Sequence, residues 1–446
     1  MQPEFYFKTN ESLDWNYTHD ERLQFLSFPA GISFSKYIAL EADLFLGENR
    51  MISNYHRNYT NFPFDATVDD VQPIKTDMPK RAYISAGIPF LEESGVNFRL
   101  GMGDESYGRT HTDNIVLSES LKGVNYASLT LYSLRVKYTT DIKQYEVNKY
   151  LYLHYFQIQP FKRISFSIVE GVMVNAPFEI RFLNPFMIFH GFTAWDDYEK
   201  YNKEQIDGDQ PGRGEQGKER VGSLVGLLFD WNPFKYTRIY GLAAMNQFEL
   251  PSERAGDSLI PDSIAFQLGF ESFVPVSSGL LNFGLEGVYT SPYMYVLRDK
   301  GWSFYRDLKE MSNPTISQWA GTSFGPDSIA GTIWAGFDNI SRWSASLSFL
   351  FLAQGKNSST GIFDTDDYDP KTPEEAAAFA PTGIPQYTYQ VNASGKWKYS
   401  EMLVFSAQAG YTIAQNFGHI DNRLEHGFEV SFSVQFFPKT LWSHSF

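Results

Sequence analysis

Residues 428–436 read FEVSFSVQF: Phe428, Val430, Phe432, Val434 and Phe436 alternate with Glu429, Ser431, Ser433 and Gln435. Side chains on an extended strand point to opposite faces in turn. This stretch therefore has one wholly apolar face and one wholly polar face. A second such stretch precedes it: Leu403, Phe405, Ala407, Ala409, Tyr411 and Ile413 alternate with Ser406, Gln408 and Thr412.

Working outward, the same period of two recurs along the chain. Trp343, Ala345, Leu347, Phe349 and Phe351 oppose Arg342, Ser344, Ser346 and Ser348. Phe283, Leu285 and Tyr289 oppose Asn282 and Glu286, and Phe266, Leu268 and Phe270 oppose Gln267 and Glu271. Tyr132, Leu134, Val136 and Tyr138 oppose Ser133, Arg135 and Lys137, and Leu40, Ala42, Leu44 and Leu46 oppose Glu41 and Asp43. Alternation alone also suits a soluble sandwich. Three features point elsewhere. Many runs reach about 9 to 13 residues, the length that crosses a bilayer when tilted, where ordinary strands are nearer five or six. The connections alternate between short turns, such as Asn232-Pro233-Phe234, Val276-Ser277-Ser278-Gly279 and Lys398-Tyr399-Ser400, and long polar stretches. Aromatic residues, Tyr387 and Trp397 among them, gather at strand ends, where membrane interfaces are expected.

Composition agrees. Aromatic residues make up 17% of the 446, with 39 Phe and 27 Tyr, yet mean hydropathy is only −0.32. Lipid-facing and water-facing residues in alternation give that combination. No run of eighteen apolar residues encodes a membrane helix. The chain has no cysteine, which excludes disulfides, thiolate metal sites and thiol nucleophiles. A net charge of −15 disfavours nucleic acid, whose phosphates need a basic partner; it suits solvated surface loops. MQPEFYFKTNES has neither a basic n-region nor an apolar h-region. An exported chain needs a signal, so the expectation is a mature or truncated form with Met1 added.

The predicted fold is an all-β, transmembrane, antiparallel up-and-down barrel of about 16–18 strands, 18 preferred, spanning residues 1–446 as one domain. Predicted strands cover 4–9, 23–34, 37–47, 80–88, 95–103, 127–139, 149–159, 162–169, 220–231, 235–248, 263–274, 279–290, 331–338, 342–354, 385–397, 402–415 and 425–437. Bacterial single-chain barrels have an even number, so these seventeen imply one more, expected in 12–22 or 171–190. Long extracellular loops are expected near 48–78, 104–125, 192–218, 249–262, 292–329 and 355–384. Short helices are expected at 297–311 and 372–379. An open sheet edge in lipid would leave peptide groups unpartnered at several kcal/mol each, so the first and last strands must pair.

Glu425, Gly427, Val430 and Phe432 match a polar-x-Gly-x-x-apolar-x-aromatic pattern in the last strand. That pattern resembles the signal read by barrel-assembly machinery, the expected partner in biogenesis. The chain ends in another aromatic, Phe446.

Two further segments carry a family likeness. In FRLGMGDESYGRTHTDNIVLSESLKGVNYASLTLY, residues 98–132, the relevant positions are Gly103, Asp104, Gly108, Leu117 and Ser118. In FQIQPFKRISFSIVEGVMVNAPFEIRFLNPFMIFHG, residues 156–191, they are Glu170, Arg181, Leu183, Asn184, Pro185 and His190. Together they resemble the capsule-assembly Wzi-like family of outer-membrane β-barrels. The resemblance implies a protein of the bacterial outer membrane, in a Gram-negative-type envelope, that associates surface polysaccharide with the outer leaflet. The 446 residues depart from the family prototype in containing no N-terminal helical bundle, so a role that depends on one is not expected.

The residues also read without the family. Asn184-Pro185 is a turn signal, and Glu170 interrupts the alternation of Ile164, Phe166 and Ile168. Asp104, Glu170, Arg181, Asn184 and His190 are therefore candidates for a lumen network or ligand site, with Arg181 able to pair Glu170 or Asp104. The network could equally brace the interior, since buried charges persist when paired. Trp302, Tyr305 and Trp319, in the longest loop beside Tyr293, are candidates for stacking on sugars; alternatively they pack that loop into the barrel mouth. Asp364, Asp366, Asp367 and Asp369 offer hard oxygen ligands for calcium, but without EF-hand spacing they read more readily as a solvated loop. Residues 196–209 read the same way. His111, His154 and His190 lie on separate segments, and neither a nucleophile elbow nor an H-E-x-x-H pair is present. No catalytic residue and no cofactor is expected. The sequence-level alternative is a porin-like channel for small polar solutes.

Overall fold

The computed structural model describes residues 2–10, 12–13, 26–46, 58–60, 81–103, 105–118, 123–189, 221–247, 259–297, 300–308, 316–340, 342–359, 362 and 370–437. The wall strands are β1 (Glu4–Lys8), β2 (Leu26–Ser33), β3 (Ile38–Leu46), β5 (Arg81–Leu91), β6 (Ser94–Gly103), β7 (Val124–Ser133), β8 (Val136–Glu146), β9 (Lys149–Phe161), β10 (Ile164–Asn175), β11 (Val221–Trp231), β12 (Thr237–Gln247), β13 (Ser263–Val276), β14 (Gly279–Thr290), β17 (Ser328–Asn339), β18 (Trp343–Gln354), β19 (Gln386–Ser400), β20 (Leu403–Gln415) and β21 (Leu424–Phe436). With the three-residue β4 (Asn58–Thr60), which pairs with β1, they form one nineteen-stranded sheet. A separate hairpin, β15 (Tyr305–Leu308) and β16 (Ile316–Trp319), lies between β14 and β17.

Among the described strands every pairing is antiparallel and, with β4 and the β15–β16 hairpin set aside, joins neighbours in sequence, save one. That exception is β1 with β21, where Phe5 faces Phe432 and Lys8 faces Glu429. The first strand thus meets the last, while among the described residues its other edge pairs with β4 and β2 pairs with β3 alone. Alternation decides the faces. Phe428 and Phe432 are exposed on the outside of β21, while Glu429, Ser431 and Ser433 are buried inside. The proposed assembly signal sits on this strand: Glu425 and Gly427 face inward with the buried set, and Val430 and Phe432 face out. Glu425 accepts from Asn10 at 2.9 Å and from Arg423 at 3.1 Å, beside the β1 seam. Between described strands, one rim carries only turns of two to five residues. The long connections lie at the other rim, which by the outer-membrane pattern is extracellular.

Four expectations need correction. The predicted strand 127–139 is two strands, β7 and β8, joined by the two residues Leu134 and Arg135. The hairpin contains no Gly, Pro or Asn to mark it; its one mark is the change of apolar phase from Leu129 and Leu131 to Tyr132, Leu134 and Val136, since Leu131 faces Tyr138. The missing strand was therefore there; 171–175 extends β10, and 12–22 falls almost wholly outside the described residues. The 297–311 stretch contains strand β15, while the 372–379 stretch does begin with a short helix, Pro373–Ala376, capped by Thr372. The 104–125 stretch is not a solvated extracellular loop; its residues 105–118 fold into the lumen.

Candidate functional site

Residues 105–118 form a compact plug along the inner wall from β8 to β17. Asn114 organises it: its side-chain oxygen accepts from the N–H groups of Val116 and Leu117 at 2.9 and 2.8 Å, and its amide donates to Ser106 Oγ at 2.7 Å. The turn so formed drives Ile115, Val116 and Leu117 into full burial. Val116 seats over Gly226 of β11, where a Cβ would stand 2.8 Å from its methyl. The wall is glycine at that position because the loop comes that close.

Polar wall residues hold the plug in place. Glu286 of β14 is 3% exposed. Its carboxylate accepts from the backbone N–H groups of His111 at 2.9 Å and Thr112 at 3.0 Å, from the Thr112 hydroxyl, and from Tyr240 Oη at 2.5 Å. A buried carboxylate is tolerated because four donors meet it. Gln267 Oε1 accepts from Ile115 N–H at 3.2 Å. Arg238 pairs with Asp230 and Glu271 and donates to the Arg109 carbonyl at 2.7 Å. The His111 ring stacks on Trp334, with centroids 3.5 Å apart and planes at 4°. At the other end, Tyr107 donates to Asp141 at 3.1 Å, and Lys143 bridges Asp141 and Glu105 at 3.0 and 2.6 Å. Burial, with the Asp141 and Glu105 carboxylates beside it, pushes the Tyr107 phenol well above its ordinary value.

A second layer lies over the first, built from the β14–β17 connection. Tyr295 Oη donates to the Ile115 carbonyl at 2.7 Å, and Ser118 N–H donates to the Ala320 carbonyl at 2.9 Å. Burial raises the Tyr295 phenol as well. Asp327 ties this layer to the β18–β19 connection by accepting from Asn357 N–H, Thr382 N–H and Thr382 Oγ1.

Trp302, Tyr305 and Trp319 belong to this upper layer, and all three are buried. Tyr305 and Trp319 face each other across the hairpin, with centroids 5.9 Å apart. Gly222 of β11 has no room for a Cβ beside Leu297 and the Trp302 carbonyl. These rings pack the mouth, and their faces are not open to a sugar.

The lumen network expected from Glu170, Arg181 and Asn184 is also displaced. On β10, Glu170 shares the outward side with Phe166 and Ile168, which are exposed. Its cross-strand partner is His154, outward on β9 with Phe156 and Ile158. Residues 176–189 fold back over this patch on the outer wall. Phe182 packs on Tyr152 at 4.9 Å, Phe189 stacks on His154 at 4.2 Å, and Tyr138 donates to the Pro185 carbonyl at 2.7 Å. Arg181 pairs with Glu179 at 2.6 Å. Asn184 ends the turn, its side chain accepting from Phe186 N–H at 3.1 Å. The one-residue shift of face follows from strand parity, which the sequence left open because Glu170 breaks the apolar pattern. Asp104, His190 and the cluster Asp364, Asp366, Asp367 and Asp369 lie outside the described residues. Among the described residues, no group of three His, Asp or Glu side chains is placed to hold a metal.

The residues that fix the plug, Glu286, Tyr240, Arg238, Gln267 and Trp334, were not singled out by sequence reasoning. The available signal was Glu286 itself: a carboxylate midway along an inward face needs donors, and only a loop inside the barrel can bring backbone N–H groups to it.

No protein-family model matches the chain, and no curated protein matches its sequence. Solved structures do match. Wzi of Escherichia coli, an outer-membrane protein involved in group 1 capsule assembly and described as a carbohydrate-binding β-barrel, aligns with 98% of this chain and 84% of its own at TM-score 0.53 and 10% identity. OprD of Pseudomonas aeruginosa aligns at TM-score 0.47 and 8% identity, covering 98% and 91%. OmpT of Vibrio cholerae aligns at TM-score 0.34 and 8% identity, covering 98% and 94%. The chain has the fold of an outer-membrane β-barrel, similar to that of Wzi.

Proposed function

We propose that this barrel is a plugged, non-enzymatic surface protein that associates extracellular polysaccharide with the outer leaflet. The observation that carries the reading is the two-layer packing inside the barrel along the wall from β8 to β17: residues 105–118 bound to Glu286, capped by the β14–β17 connection through Tyr295. Buried donors and stacked rings fix these residues to the wall from β8 to β17 and take that side of the lumen out of any passage. A barrel that holds a polymer outside needs a rigid, filled mouth on which hydroxyl-rich chains can lie. Wzi, a barrel of this fold, is described as carbohydrate-binding, and the sequence likeness at Glu170, Asn184 and Pro185 agrees with that reading. In the test, the barrel in lipid nanodiscs is passed over immobilised capsular polysaccharides of several compositions. Saturable retention of at least one supports the reading, and retention of none contradicts it.

A second reading, a channel for small polar solutes, draws on a different observation. The inner face of β18–β20 carries Ser344, Ser346, Ser348, Asn392, Ser394 and Gln408, a strip of hydroxyls and amides away from the plug, with Lys396 at its end beside Ser344. Such a strip suits passage of small polar molecules.

A further inference from the structure

The outer-wall segment 176–189 is apolar on both sides. Its inner side, Ala176, Phe182 and Phe189, is buried against the barrel. Its outer side is the reverse: Phe186 is 90% exposed, Ile180 78%, Ile188 67% and Phe178 51%. In water, four such side chains on one short segment would form a costly apolar patch. The position of the segment removes that cost. The outward row of Glu170, Val225, Met245 and Ile264 runs beneath it in register. The next row toward the short-turn rim is Ile168, Leu227, Ala243 and Phe266, apolar throughout and continuous with the lipid-facing wall. The segment therefore stands at the upper edge of the hydrocarbon belt.

We infer that residues 176–189 form a membrane-embedded shelf whose outer side contacts acyl chains of the outer leaflet. The shelf does two things there. It roofs His154 and Glu170, whose ionisable groups would otherwise face lipid at a cost that grows with depth in the bilayer. It also widens the barrel's grip on the leaflet, in the manner of an interfacial segment with its apolar side chains sunk among lipid tails. The partner is lipid, because the shelf continues the lipid-facing wall and carries the same residue types.

The chain has no native cysteine, so a single nitroxide label reports one site. Phe186→Cys and Ile188→Cys would be labelled in the full barrel reconstituted in bilayers. Collision with oxygen and with a water-soluble nickel chelate would be compared with Phe266→Cys on the wall and Val147→Cys in an exposed turn. Folding of each variant is checked by its heat-modifiable gel migration, and the two shelf positions give independent readings. Both are expected to match Phe266, with oxygen favoured and nickel access several-fold below that at Val147. Nickel access equal to that at Val147 would overturn the inference. Spin–spin broadening between copies would also overturn it, by placing a second barrel on the shelf.

Discussion

The Glu286 carboxylate and the Thr112 backbone N–H, 174 positions apart in sequence, meet at 3.0 Å inside the barrel. The same carboxylate takes His111 N–H and Tyr240 Oη, so one side chain fixes the depth at which the plug sits.

Glu286→Ala removes this anchor, leaving Thr112 N–H without its acceptor and His111 N–H with only its 3.2 Å bond to Tyr240 Oη. Hydrogen bonds to a charged group contribute about 1.5–3 kcal/mol each, enough together to free the segment. Limited proteolysis of the folded barrel is expected to cut within 105–118 in the variant and not in the wild type. Equal resistance would show that the stacked His111–Trp334 pair and Arg238 suffice. Thermal unfolding of the barrel itself should change little, because the strand ladder is untouched.

Gly226→Leu addresses the same plug from the wall. A Cβ there already meets Val116 at 2.8 Å, and overpacking of this kind costs about 1–3 kcal/mol. Faster amide exchange at Ile115–Leu117, with β11 exchange unchanged, is the expected result.

Alkali should loosen the plug. Tyr107 and Tyr295 donate their phenolic protons to Asp141 and to the Ile115 carbonyl, and burial raises both groups. A group whose folded value is raised contributes stability that is fully present below its unfolded value, about 10 for tyrosine, and is lost as pH climbs through the folded value. Clipping of 105–118 on the alkaline side is thus expected to stay low up to about pH 10 and rise beyond it. The proton-less variant Tyr295→Phe should be clipped more at neutral pH and show a smaller alkaline rise.

Trp302→Ala and Trp319→Ala test the mouth. Both rings are buried in packing, so each truncation should cost about 3–5 kcal/mol of local stability and raise amide exchange across the β14–β17 connection. Polysaccharide retention should fall only in step with that loosening. A variant that keeps native exchange yet loses retention would restore these rings as sugar contacts.

Much of the barrel was legible because its physics is local. Phe428 to Phe436 and Trp343 to Phe351 declare their two faces residue by residue, and the observed burial follows them. What stayed hidden depended on choices that the pattern does not record. The Leu134-Arg135 turn carries no turn-forming residue, and its one mark, the change of apolar phase at Leu131-Tyr132, is slight, so two strands read as one. Glu170 carries the parity of Phe166 and Ile168, but its charge suggested the lumen, and only the covering segment 176–189 makes an outward carboxylate acceptable. The plug was illegible for another reason. Residues 105–118 are as polar as a surface loop, and their burial depends on Glu286, Gln267 and Tyr240, each far away in sequence.

Single-barrel conductance in planar bilayers tests the plugged lumen most directly. Wild-type protein should insert without a steady open current, and Glu286→Ala should add one. A wild-type barrel that conducts steadily, at a level the variant does not change, would contradict a lumen closed by residues 105–118.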